Sequence, residues 1–194
     1  MVSQEFYFID CGGVHPVAPI EDEPDVDGDW TSGEALELTI QEPLEYTLGL
    51  KDIFDADIEE REDMDLASYG PDDFNVTPFM TSINPPLMRH DLLGILKEVG
   101  VDNLELFQAI IRNPLTGNDY ENFSAFNIVG VADFEWARDL RREISQREYR
   151  IKTPPFLMFY LYEDGPIVVH DSVRLAIEKA NIEGMWFVPT YEGY

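Results

Sequence analysis

Cysteine is nearly missing from these 194 residues: Cys11 stands alone. One thiol cannot close an internal disulfide or assemble a thiolate metal cluster. Long apolar runs are missing as well. The longest, PPFLMFYLY (154–162), is less than half of the ~20 residues a membrane-spanning helix needs, so no membrane contact is expected. The opening MVSQEFYFID has neither the basic flank nor the apolar stretch of a secretory signal, and a reducing, cytoplasmic location is expected. Bases are scarce: 13 Lys and Arg stand against 39 Asp and Glu, with three His, for a net charge of −26. A field of that sign repels nucleic acid and anionic lipid, and it attracts basic proteins over roughly 8–10 Å. Direct nucleic-acid binding is therefore not expected.

Signatures of catalysis are thin. The GG at 12–13 runs into Val-His-Pro and is no phosphate loop, and there is no G-x-S-x-G elbow. Cys11 and His15, four apart in a loop, do not make a nucleophile and base. His90-Asp91 and His170-Asp171 lie at element boundaries; helix capping accounts for Asp91 without a metal, and Asp171 stands one residue before its cap. DVDGDW (25–30) imitates the front of a calcium loop through Asp25, Asp27 and Asp29. Trp30 then takes the place of the turn-forming Gly, and Leu36 that of the bidentate Glu. Acids abound, but no pair is singled out by a dry setting as a general acid and base. No enzyme, cofactor or metal is expected.

What is present is a core and an asymmetry. The chain is 44% apolar with twelve Phe, nine Tyr and three Trp, enough for one domain spanning 1–194. Residues 1–88 carry 22 acids against Lys51 and Arg61 (−20), and residues 89–194 carry 17 acids against 11 bases (−6). Residues 1–75 read as an acidic, loop-rich part and 76–194 as the main body. EFYFID (5–10) is a strand, followed by a long loop over 11–34. ALELTIQ (35–41) alternates as a half-buried strand does, and LEYTLGL (44–50) extends or pairs with it. Residues 51–73 read as a solvated loop, an exposed helix edge or a flap. Their acids Asp52, Asp55, Asp57, Glu59, Glu60, Glu62, Asp63 and Asp65 form the candidate partner-binding face; the bland alternatives are a solubilising loop or a segment folded back on the chain's own arginines.

Beyond Pro86 the pattern sharpens. Leu92, Ile95, Leu96 and Val99 share a helical face, with Asp91 placed to cap and Gly100 to terminate. Strands follow at 104–111 and 121–132. DFEWARDLRREISQRE (133–148) reads as a helix carrying Arg138, Arg141, Arg142 and Arg147. A strand in IKTPPFLMFYLY, a turn at 163–165 and PIVV make a hairpin. Ser172 caps a helix facing the core through Val173, Ala176, Ile177 and Ala180, and MWFVP is the last strand. Shifted by 81 residues, Asp91, Leu92, Leu96, Val99, Val101 and Leu104 fall on Ser172, Val173, Ile177, Ala180, Ile182 and Met185. The echo is either an internal duplication or two amphipathic helices that merely look alike. The fold class expected is α+β, a mostly antiparallel sheet with two or three flanking helices.

PPLMRHDLLGILKEVGVDNLELF, YENFSAFNIVGVADFE and the ending PFLMFYLYEDGPIVVHDSVRLAIEKANIEGMWFVP together resemble immunity family eleven of bacterial polymorphic-toxin systems, over residues 76–189. The resemblance implies a small cytoplasmic α+β protein that neutralises a cognate protein toxin by stoichiometric binding. It carries over no catalytic residue, and the stretches 30–73 and 138–147 lie outside it. The acid excess adds that the toxin is basic. The other reading is an acidic adaptor or nucleic-acid mimic that occupies some other basic protein. The aromatic ending MWFVPTYEGY is a possible homodimer surface.

Overall fold

Short apolar runs build most strands of this molecule, and several of them are buried on both faces. The computed structural model describes residues 6–13, 15–36, 38–56, 58–63, 66–132, 134–136, 149–151, 156–163 and 165–190. It is an α+β fold of mainly antiparallel strands. A large sheet has six strands: β2 (Ile20–Asp22), β3 (Leu44–Leu48), β4 (Phe79–Met80), β5 (Leu87–Arg89), β6 (Leu104–Arg112) and β7 (Asp119–Ile128), ordered β2-β3-β6-β7-β5-β4. Only β3 and β6 run parallel within it. A small sheet contains β1 (Phe6–Cys11), β10 (Met158–Tyr160), β11 (Ile167–His170) and β12 (Met185–Pro189), ordered β10-β11-β1-β12. An antiparallel pair of β8 (Phe134–Trp136) and β9 (Tyr149–Ile151) forms a separate two-stranded sheet. Two ten-residue helices, α3 (His90–Val99) and α4 (Asp171–Ala180), pack on each other, and α1 (Leu50–Asp55) and α2 (Ile58–Asp63) are short. No helix among the described residues is long and apolar enough to cross a membrane.

The 81-residue echo is a structural repeat. His90–Val99 falls on Asp171–Ala180, and the left-handed C-caps Gly100 (φ 99°) and Asn181 (φ 55°) coincide under the same shift. The strand order β4-β5-β7-β6 recurs as β10-β11-β1-β12. Registers agree as well: Leu87, paired with Ala125, falls on Val168, paired with Phe8, and Glu105, paired with Asn127, falls on Trp186, paired with Asp10. Val129 donates to the Asn103 carbonyl (2.9 Å) as Gly12 donates to that of Gly184 (3.0 Å). The second unit is thus completed by the first strand of the chain, with β1 in the place of β7. Both units turn their inner faces to one core, where Phe126, Leu92 and Leu96 meet Val169, Met158 and Ile177, all essentially fully buried.

Several sequence expectations are corrected. The alternation at 35–41 makes no strand among its described residues. Leu36, Leu38 and Ile40 do pack on the second apolar cluster, but the Leu36 N–H donates to the Glu105 carboxylate (2.8 Å) instead of a ladder partner. The loop over 11–34 contains β2 and buries Trp30. Neither Asp91 nor Ser172 is the N-cap. Arg89 and His170 hold those positions; Asp91 sits in the first turn of α3, and the His170 ring accepts from the Ser172 N–H. Ala180 is exposed, since α4 turns only Val173 and Ile177 fully inward. The helix expected over 133–148 fails at its start, where Phe134–Trp136 is a strand paired with Tyr149–Ile151; residues 137–148, with their four arginines, lie outside the described residues. β-branched Ile151 and the aromatics Phe134, Trp136 and Tyr149 favour the extended pairing.

Candidate functional site

The acidic run folds because its few apolar residues are spaced to hold it down. In α1, Leu50 is fully buried and Ile53 and Phe54 are half-buried against the second apolar cluster, while Asp52 and Asp55 face outward. Phe54 meets Phe74 edge-on at 5.8 Å. Arg61, the one base of α2, lies over the Phe54 ring at 4.5 Å and donates through Nη2 to the carbonyls of Leu66 (3.2 Å) and Tyr69 (2.9 Å). Its charge is spent on anchoring the segment. Glu59 and Glu60 are exposed on α2. Glu62 and Asp63 belong to the same helix, and Asp57 and Asp65 lie outside the described residues. The structure thus places Asp52, Asp55, Glu59 and Glu60 on the surface of two consecutive helices. The anchoring role of Arg61 was not foreseen; the signal for it is a lone base inside an acid run next to an aromatic.

The histidines serve the scaffold. His90 Nε2 pairs with Ser124 Oγ at 3.1 Å, joining α3 to β7, and His170 Nδ1 lies 2.9 Å from Ser172 Oγ at the start of α4. The His15 ring meets Tyr69 edge-on at 5.7 Å. Burial pushes the Cys11 thiol above its ordinary pKa, which opposes the thiolate a nucleophile needs. Among the described residues no group of three or more His, Cys, Asp or Glu is placed to hold a metal ion, the 25–29 aspartates included. Asp29 accepts instead from the Thr31 N–H of its own turn.

At the start of α3, Arg89 gives Nε and Nη2 to the two oxygens of Asp91, each at 2.8 Å. The pair borders a cleft of about 320 Å³ that Asn75, Asn181 and Glu183 also line. The Arg89 hydrogen bonds, aided by the Leu92 N–H, hold the Asp91 carboxyl below the usual carboxylate range. A depressed carboxylate contributes stability that is present above its unfolded value, near 3.9, and lost as pH falls through the folded one. The stability gap between the native chain and Asp91→Asn is therefore expected to be constant near neutrality and to close below about pH 4. Urea unfolding across that range measures it, and a gap that persisted into strong acid would contradict the pairing.

No protein-family model matches this chain, and no curated protein matches it.

Proposed function

We propose that the chain is a non-catalytic binding protein, an immunity protein that neutralises a basic cognate toxin by stoichiometric occlusion, with α1 and α2 forming its steering face. The observation that carries this reading is the division of labour in those helices. Arg61 is turned onto carbonyls and an aromatic ring, while Asp52, Asp55, Glu59 and Glu60 are exposed on the surface. His90 and His170 supply helix and strand contacts and burial raises the pKa of the lone thiol, which favours binding over chemistry. The resemblance over 76–189 supplies the kind of partner, and the −20 carried by residues 1–88 supplies its charge.

A clustered negative face accelerates encounter with a cationic surface, and salt screens that gain. Co-expression with the product of the neighbouring gene is expected to yield a one-to-one complex. Replacing Asp52 and Asp55 by Asn and Glu59 and Glu60 by Gln is expected to slow association about tenfold at low ionic strength, with little effect at high salt. Stopped-flow mixing at two salt concentrations measures both. An unchanged association rate removes α1 and α2 from the interface, and turnover of a substrate by the purified chain removes the binding reading altogether.

A further inference from the structure

The repeat exposes one place where the two units are finished differently. In the first unit, the outer face of β6 and β7 is covered by segment 28–36. Trp30, itself buried, sets its ring edge-on to Phe107 at 5.0 Å. The Leu36 N–H donates to Glu105 (2.8 Å), and buried Asn127 donates to the Glu34 carbonyl (2.7 Å) and to Glu105 (2.8 Å). Glu105, Phe107 and Asn127 fall on Trp186, Val188 and Asp10 of the second unit. There the same positions are open: Trp186 is 46% exposed, Val188 is 41% exposed, and Asp10 is exposed. An indole stands where the covered unit has a carboxylate, so at these positions the more apolar of the two faces is the one that no described residue covers.

The strand edge agrees. Gly12 donates to the Gly184 carbonyl and Thr190 to that of Phe6, which fixes the alternation between β1 and β12. Trp186 and Val188 turn their main-chain groups to β1, so those of Met185 and Phe187 point away from it. Pro189 offers only a carbonyl on that side, which limits an added strand to a short one. Among the described residues no strand pairs there.

We propose that the Trp186–Val188–Asp10 face docks an extended segment of a cationic protein partner, covering the second unit as segment 28–36 covers the first. Large exposed aromatics on a strand are typical anchors of such contacts. Asp10, exposed beside Trp186, selects Lys or Arg on the incoming segment. The net charge of −26 works against a second copy of this chain as the occupant. The inference rests on reading the chain as a binding protein but uses residues other than those of α1 and α2.

Short random peptides displayed on phage and panned against the full chain supply the probe. Enriched peptides are expected to combine Lys or Arg with an aromatic or aliphatic residue. Synthesised, they are expected to lose about tenfold or more in affinity on Trp186→Ala. Val188→Lys, which sets a like charge against the peptide, gives an independent reading if the first variant is poorly folded by circular dichroism. Peptides that are not cationic, or whose affinity neither variant changes, overturn the proposal. So does a wild-type dimer in sedimentation that Trp186→Ala dissolves, since the occupant is then a second copy. Peptides sensitive only to the α1–α2 substitutions remove this face while leaving the binding reading intact.

Discussion

Phe126→Ala is expected to cost about 3–5 kcal/mol, because it empties the point where the two units meet. Phe126 is fully buried and stacked on Phe79, with centroids 5.5 Å apart and planes 14° from parallel. It belongs to a cluster that draws on both the large and the small sheet and on both long helices, so no single element can move in to fill the space. For a chain of this length the loss amounts to a fall of roughly 10 °C in Tm. Its counterpart in the repeat is Ile9, and Ile9→Val there is expected to cost only about 1 kcal/mol. Calorimetry with urea unfolding followed by near-ultraviolet circular dichroism measures both. One coincident transition for both variants is the expected form, since the sheets share this core. Two separated transitions would mean that the units are energetically independent.

Gly184→Ala is expected to cost about 2–4 kcal/mol, from a backbone cause rather than a cavity. Gly184 has φ +79°, where a side chain is strained, and a Cβ there would lie 3.0 Å from the Cα, carbonyl carbon and oxygen of Gly13. Those are main-chain atoms next to the Gly12–Gly184 hydrogen bond, so relief would have to come from moving β12 against β1. Asn103, at the equivalent place in the first unit, carries a side chain that donates to the carbonyls of Val129 and Met158. Gly94, in the middle of α3 with nothing within 4 Å, is the control: Gly94→Ala is expected to be neutral or to stabilise by up to about 1 kcal/mol. If Gly184→Ala proved equally harmless, the close pairing of β12 with β1 would be wrong.

Much of the architecture was legible where local pattern and tertiary burial agree. Leu92, Leu96, Val173 and Ile177 mark their helices by spacing alone, and Gly100 marks a C-cap by its tolerance of positive φ. The α+β class and the hairpin of β10 and β11 follow from the same signals. The misreadings occur where a distant partner decides. The Leu36 N–H is taken by Glu105, 69 residues away, so a strand-like alternation stays unpaired. His170 caps α4 with a ring nitrogen, a role that cap preferences assign to Ser or Asp. The acidic face was visible as composition, but which acids point outward depends on where Phe54, Phe74 and Arg61 meet. The repeat was visible as an 81-residue echo of helices. That β1 stands in for β7 is a matter of strand pairing, on which apolar spacing is silent.

That substitution has a consequence for how the chain is made. Phe6–Cys11 leaves the ribosome well before its neighbours in the finished sheet, Ile167–His170 and Met185–Pro189. The earlier unit carries all its own strands; the later one must recruit a strand made long before its partners, and the core that both units share stays incomplete until it does. Contacts so remote in order slow folding and leave an unpaired apolar ribbon in the meantime. The newborn protein is therefore expected to depend on chaperones until Met185–Pro189 has emerged.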